Sequence, residues 1–295
     1  MADRRDRPGG LATLLLAVPN VSEGRDRETL DAIGAAFVAG GARLLDVHSD
    51  PHHHRSVFTL AGEPGRLHEA LLEGAREAVE RIDLTAHAGL HPRVGVVDVA
   101  PVVHRTDAER GAATAEALLL AHRLGRDLGL PVYLYGTLAG GRARASLRAP
   151  GALAGLAPDY GPARLDEQAG AVLVGARPPL VAFNVNLRGS LDAAREVAAV
   201  VRERDGGFPG VRALGLDLPS AGQAQVSMNV EDWEASSLHE ILAAIEREAA
   251  ARGIEVAGAE LVGLMPAGAA AAAAGAMLRI DGFDASRLLE LRLLR

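Results

Sequence analysis

One order of apolar strands and amphipathic helices runs through the chain twice, and this constrains the fold more than any other feature. The first pass begins with "LATLLLAV" (11–18), a short apolar run ended by Pro19-Asn20, as a buried strand would be. "SEGRDRETLDAIGAAFVAGG" then offers capping residues, early acids, apolar positions at Leu30, Ile33 and Phe37, and a Gly-Gly stop, which predicts a helix. "ARLLDVHSD" and "RSVFTLAG" read as two strands joined by a polar, proline-containing hairpin turn. "EPGRLHEALLEGAREAVERI" predicts a second helix and "RVGVVDVAPVV" a fourth strand. The result is βαββαβ, the split-βαβ or ferredoxin-like unit.

After residue 178 the order returns. "PLVAFNVNL" is a strand, "SLDAAREVAAVVRER" a helix, "VRALGLDLP" and "AQVSMNV" a strand pair, "SSLHEILAAIEREAARG" a helix and "EVAGAELVGL" a last strand. "VPNVSEGRDRETLDAI" also echoes "AFNVNLRGSLDAAREV", strand to Asn to helix in both. The fold class expected is therefore α+β, with two ferredoxin-like (βαββαβ) subdomains, 1–178 and 179–295, and a ligand cleft between them. Between the two passes lie a helix ("DAERGAATAEALLLAHRLGRDLG"), a strand ("PVYLYG") and a Gly/Arg/Pro-rich stretch, 137–170. An irregular segment that long is usually a functional loop or a disordered one.

Composition narrows the function classes. At 295 residues the chain is long enough for two cores, and with 48% apolar but only 3% aromatic residues those cores must be built from Leu, Val, Ile and Ala. All 31 basic residues are arginine, and with the heavy use of Ala and Gly this reads as coding bias, so "AAAAAAG" near 269–275 is expected to be a plain helix. A formal charge of −7 argues against a general nucleic-acid binder. Without cysteine there is no disulfide, thiolate nucleophile or Cys-based zinc site. The apolar run near the start is shorter than a signal sequence needs and lacks a convincing cleavage site. No apolar stretch approaches the roughly 20 residues that span a bilayer, and a soluble cytoplasmic protein is expected.

Unusual polar residues gather at three places in the first pass. "PNVSEG" puts Asn20, Ser22 and Glu23 at a helix start, where free N–H groups can hold an anion or simply be capped. "HSDPHHHRS" fills the hairpin turn, and "HAGLHPRVGVVDV" carries His87, His91, Arg93 and Asp98. The first and third strands of a ferredoxin-like unit are adjacent, so these ends can converge. Three consecutive histidines in an extended chain alternate faces, which leaves only His52 and His54 on one side; no metal site is expected. His91 precedes Pro92, which holds it extended, and Arg93 offers a fork suited to a carboxylate. An imidazole there suits proton exchange with an amine, although the pattern alone leaves a structural histidine open.

These segments resemble the glutamate formimidoyltransferase family, the formiminotransferase part of formiminotransferase-cyclodeaminase. The resemblance rests on "VPNVSEGR" (family VPNFSEG), "LLDVHSDP" with "RSVFTLAG", "HAGLHPRVGVVDVAP" (family HKGEHPRMGALDVCP), "LGLPVYLYG", "APDYGP", "GARPPLVAFNVNL", "AQVSMNV" and "LVGLMP", in family order over roughly residues 17 to 266. It implies two ferredoxin-like subdomains without room for the cyclodeaminase domain. It also implies transfer of a formimino group from N-formimino-L-glutamate to N5 of tetrahydrofolate, the folate being a co-substrate. By that resemblance His91 is the catalytic acid/base, and Asn20, His48, His54, Arg55 and Arg93 bind the substrate. Gly161, Pro162, Arg164 and Gly170 hold the folate. The implied partners are these small molecules, with no nucleic acid and no membrane, and a homodimer is open to it. The chain departs from the pattern where the family has Asp at His48, Asn at His54 and Glu at Leu90. In the folate loop, an aromatic, Pro- and Trp-bearing run becomes "ARLDEQAG", which removes much of the stacking surface for a pterin. Two other readings therefore stand beside the first: a folate-independent hydrolase or transferase on a related N-substituted amino acid, and a non-catalytic paralogue that binds an anionic metabolite. His52 and His53 are expected at the turn surface.

Overall fold

Residues 14–89 and 92–293 are described by a computed structural model. They form two compact units, one ending at Arg177 and the other beginning at Pro178. Residues 11–13 of the predicted first strand lie outside the described residues.

The first strand of unit one is split into β1 (Leu15–Ala17) and β2 (Asn20–Val21). Val18-Pro19 separates them, because a prolyl nitrogen has no hydrogen to give the ladder. Pairing nonetheless continues across the break: Val18 N–H donates to Pro101 O at 3.1 Å and Pro19 O accepts from Phe58 N–H at 3.0 Å. Next come α1 (Arg27–Ala39), β3 (Arg43–Asp50), β4 (Arg55–Gly62), α2 (Leu67–Arg81) and β5 (Val97–Val103). β3 pairs with β4, β4 with the split strand, and the split strand with β5, all antiparallel. In order of appearance that is 2-3-1-4, the ferredoxin-like arrangement. α1 and α2 cover one face through Leu30, Ile33, Phe37, Leu67 and Leu71, and the Phe37 and Phe58 rings meet at 5.3 Å.

The stretch between the two passes, which the expected bounds 1–178 include in the first subdomain, belongs to this unit. It supplies α3 (Arg110–Asp127), β6 (Val132–Leu134), α4 (Arg144–Leu147) and β7 (Val172–Arg177). β7 runs parallel to β5 on one side and to β6 on the other, so the sheet is extended rather than followed by a linker. The 137–170 segment is also more ordered than an irregular loop. Leu147, Leu153 and Leu156 pack on Val99, Tyr133, Tyr135 and Leu173, covering the sheet face opposite the helices. Tyr133 Oη donates to Leu156 O at 3.0 Å, and Asp159 accepts from Leu134 N–H at 2.7 Å and from Arg142 at 2.9 Å.

Unit two repeats the plan with β8 (Val181–Leu187), α5 (Leu191–Val201), β9 (Val211–Leu218), β10 (Gln223–Val230), α6 (Leu238–Ala251) and β11 (Val256–Val262). Its sheet runs β11-β8-β10-β9, antiparallel throughout. Alternation is clean here. Val181, Val185 and Leu187 join Ala224, Val226 and Met228 in the core, while Asn184, Asn186, Gln225 and Ser227 take the other face. The alanine run forms α7 (Ala267–Leu278), and α8 (Leu289–Leu293) ends the described chain. Among the described residues no helix is long and apolar enough to cross a membrane.

Candidate active site

The end of the first sheet where β2 stops, the β3–β4 hairpin turns and β5 begins encloses a small cavity. Val21, Ser22, His53, His54, Arg55, His87, Arg93 and Asp98 line it. Strand register explains the meeting. Val21 lies opposite Ser56 and Val97, and Asp50 opposite Arg55, so the ends of three strands share one level.

The loop after β2 does not offer its N–H groups to a ligand. Glu23 Oε1 already accepts from the backbone N–H groups of Gly24 (2.8 Å), Arg25 (2.7 Å) and Asp26 (3.0 Å). The residue that caps α1 is Asp26, through Glu28 N–H at 3.1 Å and Thr29 Oγ1 at 2.6 Å. Asn20 is therefore a strand residue, buried, with Nδ2 donating to Val18 O at 3.0 Å. Ser22 is tied to the start of β5: its N–H donates to Val96 O and its hydroxyl to Gly95 O, both at 2.8 Å. Gly24 is needed for closeness, since a Cβ there would stand 2.3 Å from Asp50 O.

The histidine turn is organised from within. Asp50 Oδ1 accepts from the N–H groups of His52 (2.8 Å) and His53 (2.9 Å), while its Oδ2 lies 2.7 Å from His53 Nδ1. Burial raises the Asp50 pKa, but the His53 hydrogen bonds outweigh it and bring the carboxyl down to about 2. His53, expected at the turn surface, is instead only 5% exposed, because Asp50 pulls its ring inward. His54 takes a left-handed backbone, φ 49°, a conformation costly for most side chains but less so for His, Asn and Asp. The ring that results accepts Gly24 N–H at Nδ1 (3.1 Å) and stacks on His87 with centroids 4.2 Å apart.

His48 stands on β3 opposite Val57, which also faces Asn20, so both candidates share the sheet face away from α1 and α2. Neither lines the small cavity. Arg55 and Arg93 do. Burial, then Arg148, lower the Arg55 pKa to about 9, which leaves it cationic at neutral pH. Arg93 Nη2 donates to His87 O at 2.8 Å. Asp98 accepts from Val94 N–H at 2.9 Å and pairs through both oxygens with Arg148, just beyond α4, so the segment opposite the helices clamps the turn that follows Arg93. Sequence reasoning left Arg148 unassigned: a four-residue helix in an arginine-rich loop carries no periodic signal.

The predicted catalytic histidine, His91, lies with Leu90 outside the described residues. Its flanks do not. Arg93 lines the cavity, and a Cβ on Gly89 would stand 2.6 Å from His53 O and 3.1 Å from His54 Cβ. Of the predicted folate residues, Gly170 is buried beside the site, with φ +71° and its α-carbon side against Val94 O and Gly95. Gly161, Pro162 and Arg164 are exposed, Gly161 packing near Leu130 and Gly125 at the far end of α3, and none of the three lines the cavity. The cavity is thus lined by the guanidinium residues Arg55 and Arg93 together with His53, His54 and His87.

Comparison with known proteins agrees with this architecture. The N-terminal subdomain of the formiminotransferase domain matches residues 14–177, and the formiminotransferase domain matches residues 182–283. A glutamate formimidoyltransferase of Streptococcus pyogenes serotype M1 is 38% identical over 287 residues, covering 93% of this chain and 96% of that protein. Another from Thermoplasma acidophilum is 35% identical over 293 residues, covering 94% and 96%. The formimidoyltransferase-cyclodeaminase of Sus scrofa is 38% identical over 274 residues, and there the match takes in 87% of this chain but 51% of that protein. The chain belongs to the formiminotransferase family, a family of transferases.

Proposed function

We propose that this protein transfers the formimino group of N-formimino-L-glutamate to N5 of tetrahydrofolate, with His91 as general acid/base. The observation that carries the reading is the cavity lined by Arg55 and Arg93, bordered by the chain on both sides of His91. Full-length similarity to two proteins named glutamate formimidoyltransferase supports the same donor. The two guanidinium groups suit the two carboxylates of the donor. N5 attacks the amidine carbon and a C–N5 bond forms. The C–N bond to glutamate then breaks, with His91 taking the N5 proton and returning one to the departing nitrogen. Asn20 and His48 are assigned to the donor and Gly161, Pro162, Arg164 and Gly170 to the folate, in a soluble cytoplasmic enzyme acting on small molecules.

Incubation with both substrates should yield 5-formiminotetrahydrofolate, and His91→Ala should lower kcat by about 10²- to 10⁴-fold while the fold persists. Absence of turnover in the wild type, or full activity in the variant, overturns the reading. The exposure of Gly161, Pro162 and Arg164 away from the cavity favours one alternative, hydrolysis with water as acceptor. Release of glutamate from the donor without folate distinguishes it.

A further inference from the structure

One cavity-lining group has hydrogen-bonding capacity that the described residues leave unused. His87 Nε2 lies 2.8 Å from the His54 carbonyl oxygen. A carbonyl only accepts, so Nε2 carries the proton, and in the neutral ring Nδ1 is then a bare lone pair. That Nδ1 is buried and has no hydrogen-bond partner among the described residues. The ring is not free to turn toward solvent. It stacks on His54 with an interplanar angle of 26°, and its Cε1 lies 2.9 Å from where a Cβ on Gly89 would sit. Burial, and with it the Arg93 guanidinium that holds the His87 carbonyl, lowers the His87 pKa and disfavours a second proton on the ring.

The ligand that satisfies this atom must donate. A carboxylate or an aldehyde oxygen offers only lone pairs and would be repelled; an N–H of a formimino group fits. Glu23 Oε1 lies 3.4 Å from His54 Nδ1, while Arg55 and Arg93 line the cavity and supply the positive charge that a carboxylate would seek. We propose that His87 Nδ1 accepts an N–H of the donor's formimino group, so that His87 is the residue that distinguishes a formimino donor from its formyl isostere. This rests on the donor assigned under Proposed function. The distinction arises because replacing the terminal nitrogen by oxygen turns a donor facing Nδ1 into an acceptor.

Calorimetric titration of the full chain with N-formimino-L-glutamate and N-formyl-L-glutamate tests it. The wild type should bind the formimino compound about tenfold or more tightly than the formyl compound. His87→Leu, which removes the acceptor, should bring the ratio toward one, chiefly by weakening the formimino compound. His87→Asn, whose Oδ1 falls near the position of Nδ1, should restore part of it. A folded His87→Leu that keeps the wild-type ratio overturns the assignment. If neither variant folds, the wild-type ratio decides, and a value near one overturns it. A wild type that binds neither compound overturns the assigned donor itself, a different outcome from one that binds and transfers formimino yet discriminates without His87.

Discussion

His54 shows how one residue can carry both strain and purpose. Its left-handed backbone places the ring between Gly24 N–H and the face of His87, contacts that a right-handed residue in the same turn would lose. His54→Asn should therefore keep most of the stability, whereas His54→Val, β-branched and disfavoured at positive φ, should cost about 1–3 kcal/mol in urea unfolding. The neighbouring ionisable groups set two acid transitions. Burial lowers the pKa of His54, with Glu23 opposing and His87 assisting, and burial likewise lowers that of His87. The folded state thus binds these protons less readily than the unfolded chain. Stability from this source is complete above the ordinary histidine value of 6.5 and is lost as pH falls below it. Asp50 adds a second, separate loss between 3.8 and about 2, where its carboxylate must be protonated and the turn released. Unfolding midpoints should decline in both windows, and His54→Asn should reduce only the first. At this scale the types of site residue were legible in "HSDPHHHRS" and "HAGLHPRVG". The burial of His53 was not, because it depends on Asp50 reaching forward to close the turn.

Among the elements, α2 begins without a side-chain cap of its own. Its first turn is satisfied from α3, where the buried Glu116 carboxylate accepts from Gly65 N–H, from His68 N–H at 2.7 Å and from the His68 ring at 2.9 Å. A cap borrowed from another helix serves the same orphan donors and also fixes the two helices against each other. Glu116→Ala should cost about 3 kcal/mol and expose the first turn of α2 to hydrogen exchange; Glu116→Gln, which keeps one acceptor oxygen, should cost less. A variant as stable as the wild type would show the contact to be incidental. The helix around Glu116 is readable from the chain, and so is the one starting near Leu67. That one caps the other is not, since the partners lie 48 positions apart and no local rule links them. β7 was missed for a related reason. "AVLVGAR" is a short apolar run between Gly170 and Pro178, the mark of a parallel strand buried on both faces, which carries no alternation to reveal it.

Over the whole molecule, each unit has a hydrophobic core of its own, one gathered by α1, α2 and α3 and the other by α5 and α6. Residues 178–295 expressed alone should therefore fold, with a cooperative thermal transition and helical circular dichroism; a molten or insoluble product would show that the second core does not suffice. Both cores were written plainly in the repeated βαββαβ order, and even the echo of Asn20 by Asn184 corresponds to structure, both being buried on the first strand of their sheets. Periodicity and turn chemistry act between near neighbours, so the chain by itself determined the elements, their order, the two-part plan and which polar residues lay at strand ends. Only tertiary structure decided which of those residues meet. Register brought Arg55 and Asp98 to one end of the sheet, a hydrogen bond and ring stacking joined His87 to His54, and packing of residues 144–156 on its second face drew in Arg148. Such contacts join positions far apart along the chain, and their energies come from burial and charge in a shared space rather than from any local pattern.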